Sequence, residues 1–438
     1  MRTPAKPHNG LRPRVLRPSL NTRRAQLDVA GILLVLLSTT VLLGWFGLGN
    51  FAHALTFPGR LTGAVLITVA FTTLLAAGAV LDHWVGHSFQ YSGLVALIGV
   101  FAALLTNTLL LLRTLRTGDL VIFPALFGAL AAGAAWSLFT VWRTAVTIPA
   151  PKRVAAAVVV SSALAVANFG YQNLYLPYRR EARPVITLDV EKAVLSKDGK
   201  AFAVPVDITI QNHADVGFYV LGTEVHAMGE QVRLSPKDRL RQQWRTDAEQ
   251  IAHSAGEMNP LSRREIHQPG ELVEAKPWMQ PGNWIEPSDA FTTRMVIQLP
   301  VGTRYDQVAF YATASLARKD QIVLDPPLKV VANSWRGNDV PKWVKDQQKM
   351  GLDSLVYRAR LHENNAIDEN IREPRFVTIY WTFGTHGASV QSSVTRKGDN
   401  GNSELSGEDQ RELVSRYGFV DLSTGPIERT LWDIKARN

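Results

Sequence analysis

The sequence predicts a membrane protein: an N-terminal bundle of five transmembrane α-helices, followed by an exported β-rich region. That region is expected to be an immunoglobulin/fibronectin-like sandwich with a helical insertion, then a small α+β unit. Three observations carry this. Five apolar blocks lack any charged residue or histidine, the chain opens with a run of basic residues, and beyond residue 184 the pattern changes to short alternating strands.

The five blocks are 29–48, 61–81, 91–112, 120–142 and 154–174. Each has the roughly 20 residues needed to cross about 30 Å of hydrocarbon. A helix that is apolar all round for this length has no face to offer to water, so the membrane is its expected solvent. Asn107, Asn168 and scattered hydroxyls are the polar groups inside, and these ordinarily hydrogen-bond within or between helices. Ion-coupled transporters and pumps place ionisable groups in their spans, so the sequence argues against that class.

Charge fixes the expected orientation. The 438 residues carry 47 Lys plus Arg against 38 Asp plus Glu, a net charge of +9, but the excess is unevenly placed. The first 180 residues hold 15 basic and 3 acidic side chains, and the rest hold 32 and 35. A basic protein of this kind is not a nucleic-acid binder, because its positive charge belongs to the membrane part. Seven basic residues precede the first block, among them Arg12, Arg14, Arg17, Arg23 and Arg24, which suit a cytoplasmic edge and anionic lipid headgroups. Residues 1–27, interrupted by four prolines, read as a disordered cytoplasmic arm, and 28–178 as the transmembrane domain. A 20-residue block with no small-x-small cleavage pattern does not suit a signal peptide. Five spans then leave the C-terminal part outside a plasma (inner) membrane. The pair Arg113 and Arg116 opposes this arrangement, since it falls outside while the uncharged-by-Lys/Arg stretch 81–90 falls inside.

Small residues repeat at Ala125, Ala129 and Gly133, and at Ala157, Ser161 and Ala165, which suits close packing within the bundle or between copies of the chain. Asp82, His83 and His87 lack the third ligand of a zinc site, and their loop reads as interfacial.

Residues 184–331 are expected to form the sandwich. VITLDVEKAVL, AFAVPVDITIQN and GFYVLGTEVHAM alternate as strands, with an Asp-Gly turn between the first two. Residues 236–254 read as a charged helix, and FTTRMVIQLP, DQVAFYATASLA and QIVLDPPLKVV as further strands. Residues 335–438 are expected to form the α+β unit, with helices near 341–350 and 407–417, strands SLVYRARL, RFVTIYWTF and ASVQSSVT, and a last strand around 427–434.

Catalytic signatures are missing. The chain has no cysteine, no Walker loop, no G-x-S-x-G and no H-E-x-x-H. The acidic turn from Asp399 to Glu404 lacks the glycine of a calcium loop, and His386 has no assignable partner. No cofactor or metal is expected. Trp278 and Trp284 flank a Pro/Gly-rich stretch and are the candidate binding residues, as rings placed to stack on a sugar or a protein partner. An excess of Arg over Lys suits a GC-rich bacterial genome. The expected function is that of a non-enzymatic membrane anchor presenting an extracytoplasmic binding domain to a protein or cell-envelope glycan. An envelope hydrolase or transferase is the alternative, and an accessory subunit of a membrane transport complex the third reading.

Overall fold

The computed structural model describes residues 22–86, 88–89, 91–144, 168, 171, 183–230, 270–325, 328–335, 342–349, 351–385, 387–396 and 407–436. These fall into two compact units, one helical and one built of strands. Four helices, α1 (Arg23–His53), α2 (Phe57–Leu81), α3 (Ser92–Thr117) and α4 (Ile122–Thr144), are long and apolar enough to span a membrane. The expected fifth block, 154–174, lies outside the described residues apart from Asn168 and Tyr171.

Each helix starts where its sequence supplies a cap. The Thr22 hydroxyl accepts from the Ala25 amide and the Thr56 hydroxyl from that of Gly59, with Pro58 in the first turn of α2. α1 and α2 approach through Gly47 and Gly63. A Cβ on Gly63 would stand 2.4 Å from the Phe51 nitrogen, so only glycine fits. Two polar pairs cross between helices, Asn107 donating to the Thr39 hydroxyl at 3.0 Å and Thr40 sharing a 2.8 Å bond with Thr73. Gly133 packs on Val35 of α1, whereas Ala125 and Ala129 are exposed. At the end of α2 a single π-helical turn, Asp82–Gly86, closes with the Asp82 carboxylate accepting from the Ser88 and Phe89 amides.

The second unit contains three antiparallel sheets. In the first, β3 (Ala201–Gln211) is flanked by β1 (Val185–Val190) and β2 (Val194–Leu195) on one side and by β7 (Ala290–Pro300) on the other. The second is built on β4 (Phe218–Glu230) and β8 (Gln307–Arg318). β5 (Glu271–Lys276) and β6 (Trp284–Ile285) pair with β4, and β14 (Phe419–Ser423) and β15 (Ile427–Thr430) pair with β8. In the third, β11 (Leu352–Glu363) and β12 (Arg375–Gly384) are central; β9 (Ile322–Leu324) and β10 (Lys329–Asn333) pair with β11, and β13 (Gly387–Arg396) with β12.

Strict alternation on β3 sends Phe202, Val204, Val206, Ile208 and Ile210 inward onto Phe310, Ala312 and Leu316 of β8. A second core joins Leu221 and Ala317 to Leu361, Val377 and Ile379 of the third sheet. The second sheet is thus covered on both faces, which is why β4 is buried almost without interruption. A bulge between Val220 and Gly222 switches the phase of β4, so that Tyr219 and Leu221 face the third sheet while Val225 and Ala227 face the first.

Pairing runs between the segments 184–331 and 335–438: β14 and β15 return to β8 and join the second sheet. One expectation is corrected. The strand expected over 427–434 ends at Thr430 and continues as a short helix, Leu431–Ala436. The helices near 341–350 and 407–417 are present as Lys342–Lys349 and Gly407–Tyr417. The helix expected over 236–254 lies outside the described residues.

Candidate functional site

Pro281 and Gly282 occupy the middle of a turn closed by the Asn283 amide on the Gln280 carbonyl, 3.3 Å, and Gly282 takes φ +93°. Proline before a residue of positive φ is the composition of a type II turn. The turn is stitched to β4 by paired backbone bonds, Gly282 to the Val220 carbonyl and Val220 to that of Asn283, and hands the chain directly to β6. There Trp284 is the cross-strand partner of Tyr219, so both rings lie on one face, while Ile285 points to the core and is fully buried.

Lys319 leaves the end of β8 with its amide bonded to the Gly217 carbonyl, and its ammonium reaches back to the rings. Its Nζ lies 5.2 Å from the Trp284 centroid and 5.8 Å from that of Tyr219, and 2.7 Å from Glu286 Oε1. These groups, with Leu324, Leu328 and Ala359 as a floor, line an open cleft of about 240 Å³. Trp284 is 55% exposed. The arrangement offers ring faces, an aliphatic floor and one ion pair at the rim. The rings and the aliphatic floor give the cleft its contact area, and Lys319 is its one charged lining side chain.

Trp278 has a different environment. It is 4% exposed, its indole N–H donates to the Thr313 carbonyl at 3.0 Å, and the Thr223 hydroxyl accepts from its amide and that of Met279. It belongs to the core between the first and second sheets. Tyr219 and Lys319, which complete the cleft, carry no sequence signal of their own: the first is one aromatic in a strand, the second a lysine in a turn.

A second constellation lies on β4 and β8. Glu224 is wholly buried, His226 Nδ1 lies 2.7 Å from its Oε1, Thr313 donates to its Oε2 at 3.4 Å, and the Tyr311 ring stacks on the imidazole at 4.7 Å. Glu-x-His on a strand places both side chains on one face, so this pair was readable as E-V-H had its burial been known. Its hydrogen bonds are made within the sheet.

Among the described residues no group of three His, Asp or Glu side chains is disposed to hold a metal. His83 packs edge-on against Trp84, 4.7 Å between centroids. His87, His386 and the turn from Asp399 to Glu404 lie outside the described residues, as do Arg12, Arg14 and Arg17, while Arg23 and Arg24 open α1.

No family model matches the chain, and no curated protein matches it. Solved structures similar to parts of it include the Northeast Structural Genomics Consortium target SoR45, 9% identical, over 32% of this chain and 74% of that one, with a TM-score of 0.18. Another is Spo0M, a sporulation control protein from Bacillus subtilis, 9% identical, over 59% of this chain and 94% of that one, also with a TM-score of 0.18. Likeness at this level carries no argument about fold or function.

Proposed function

We propose that the chain is a multi-pass plasma-membrane protein with five spans, a cytoplasmic N-terminus and an extracytoplasmic β-rich region, whose first two sheets form an immunoglobulin/fibronectin-like sandwich. Its work is to present the Tyr219–Trp284 cleft to a partner protein. The observation that carries this reading is the exposed Trp284 set against Tyr219 over an aliphatic floor, the composition of an interface anchor pocket. The floor of Leu324, Leu328 and Ala359 is aliphatic, which suits an apolar side chain of a protein partner better than the hydroxyl-rich surface of a glycan.

The topology draws on two supports. The basic start of the chain favours the cytoplasm. Segment Asn364–Glu373 belongs to the helical unit and bonds to the end where α1 and α3 finish and α2 and α4 begin, whereas Thr144 closes α4 at the opposite end. A fifth crossing between Thr144 and Asn364 would join these two ends, and 154–174 is an apolar block of the right length for it.

The test is a photo-activated cross-linker placed at Trp284 in the full-length protein in cells, with Val296, also exposed, as control. A discrete protein adduct at Trp284 alone is the expected result. Adducts at neither position, or equally at both, would overturn the reading, and a glycan adduct would transfer the cleft to that ligand class.

A further inference from the structure

The ammonium of Lys319 already occupies the ring end of the cleft. Among the described residues its Nζ makes one ion pair, 2.7 Å to Glu286 Oε1, and otherwise faces the rings of Trp284 and Tyr219 at 5.2 and 5.8 Å. Bare backbone makes the room for it. An ideal Cβ on Gly217 would stand 3.0 Å from Lys319 Cδ and 3.2 Å from Glu286 Oε2, so a larger residue there would press on both. The main chain of Lys319 is fixed separately, its amide donating to the Gly217 carbonyl at 2.9 Å. What holds the ammonium is therefore side-chain chemistry alone: two aromatic rings and one carboxylate.

That chemistry selects for positive charge. An aromatic face attracts an ammonium through its quadrupole and has no such attraction for a neutral or anionic head. Glu286 adds a full negative charge at the rim, and Leu324, Leu328 and Ala359 offer contact to a methylene stem. Trp284 stays 55% exposed with Lys319 in place, so the resident side chain covers only part of the ring. A lysine has a flexible four-carbon stem, so Lys319 can leave by rotamer changes that require no movement of the strands carrying Tyr219 and Trp284.

We infer that the cleft is a cation site, that the partner residue it takes is a lysine, and that Lys319 is a built-in occupant competing with that lysine. The inference rests on the reading of the cleft as a protein-docking site and names the chemistry recognised there. The partner's stem takes the aliphatic floor, and its head takes the place that Lys319 Nζ now holds. A tethered competitor acts at a high effective concentration, so the parent protein binds a free lysine weakly and removal of Lys319 unmasks the site.

The test uses full-length protein in detergent, labelled with 5-fluorotryptophan, with the Trp284 fluorine resonance identified by its loss in Trp284→Phe. The probes are N-acetyl-lysine amide, whose side chain is its one charge, and the uncharged N-acetyl-norleucine amide. In Lys319→Ala, or Lys319→Ser should the first not fold, the lysine probe is expected to shift the resonance saturably. Half-saturation should come at a concentration about tenfold lower than in the parent. Adding Glu286→Gln should raise it again about threefold or more, and the norleucine probe should give no saturable shift. Equal half-saturation with and without Lys319 would overturn the inference, as would an equal response to norleucine or no saturable shift with lysine. No partner protein enters this titration, so its outcome is separate from that of the cross-linking test. A protein adduct at Trp284 without lysine selectivity here would keep the docking reading and remove the cation site.

Discussion

Arg113 is the side chain that fits the basic-inside pattern worst, and it is also one whose charge is answered within the chain. Asp368 meets it from 255 residues away, with the two side chains 23% and 12% exposed. A loop count of Lys and Arg treats every cation as equally free, whereas this one is neutralised by a bidentate carboxylate. Arg113→Ala strands a largely buried Asp368, and a loss of about 3 kcal/mol is expected. The double exchange Arg113→Asp/Asp368→Arg should recover part of it. Thermal unfolding in detergent of the four proteins of that cycle measures the coupling. The two candidate tryptophans separate on the same scale. Trp278→Ala empties a core site and should cost about 3 to 5 kcal/mol. Trp284→Ala should stay within about 0.5 kcal/mol of the parent and instead lose the cross-linked partner. Nothing in their shared Pro/Gly setting distinguished them, because burial is decided by what packs opposite, here the Thr313 strand against one ring and open solvent against the other.

At the scale of elements, patterns that repeat locally were legible and contacts made at a distance were not. The alternation of SLVYRARL, RFVTIYWTF and ASVQSSVT places β11, β12 and β13 within a few residues of their ends. The short helix Ala366–Ile371 was invisible: Ile367 and Ile371 are isolated large apolar residues in a mostly polar string, and their partners lie in the long helices. Small-residue spacing drew attention to Ala125, Ala129 and Gly133, whereas Gly63 makes a closer approach to a neighbouring helix's backbone, against Phe51 and Gly47 of α1. That contact makes a sharp test. Gly63→Leu would drive a side chain into the Phe51 and Gly47 backbones, and the full-length protein should lose monodispersity and melt earlier in detergent. Gly78→Leu, on the same helix with nothing within 4 Å of its Cβ, should do neither. Equal behaviour of the two would mean that α1 and α2 do not pack through these glycines.

For the whole molecule, the charge split between the two parts of the chain was readable and pointed to a membrane part and a polar part, but the order of the sheets was not. β14 and β15 follow about 100 residues after β8 and pair with it, and a strand carries no local mark of which edge it will join. The layering matters for topology, because it puts the chain's last strands in the same unit as its first ones, so one exposed position reports the side occupied by all of them. The absence of cysteine makes labelling direct. Single substitutions Ser88→Cys, Arg60→Cys and Glu428→Cys, all at exposed positions, would be treated with a membrane-impermeant maleimide in cells opened to the plasma membrane. With five spans and a cytoplasmic start, Arg60→Cys and Glu428→Cys label at once and Ser88→Cys only after permeabilisation. Labelling of Glu428→Cys together with Ser88→Cys, and not with Arg60→Cys, would place the strands on the side of Thr144. That would remove the fifth crossing and with it the reading of 154–174 as a span.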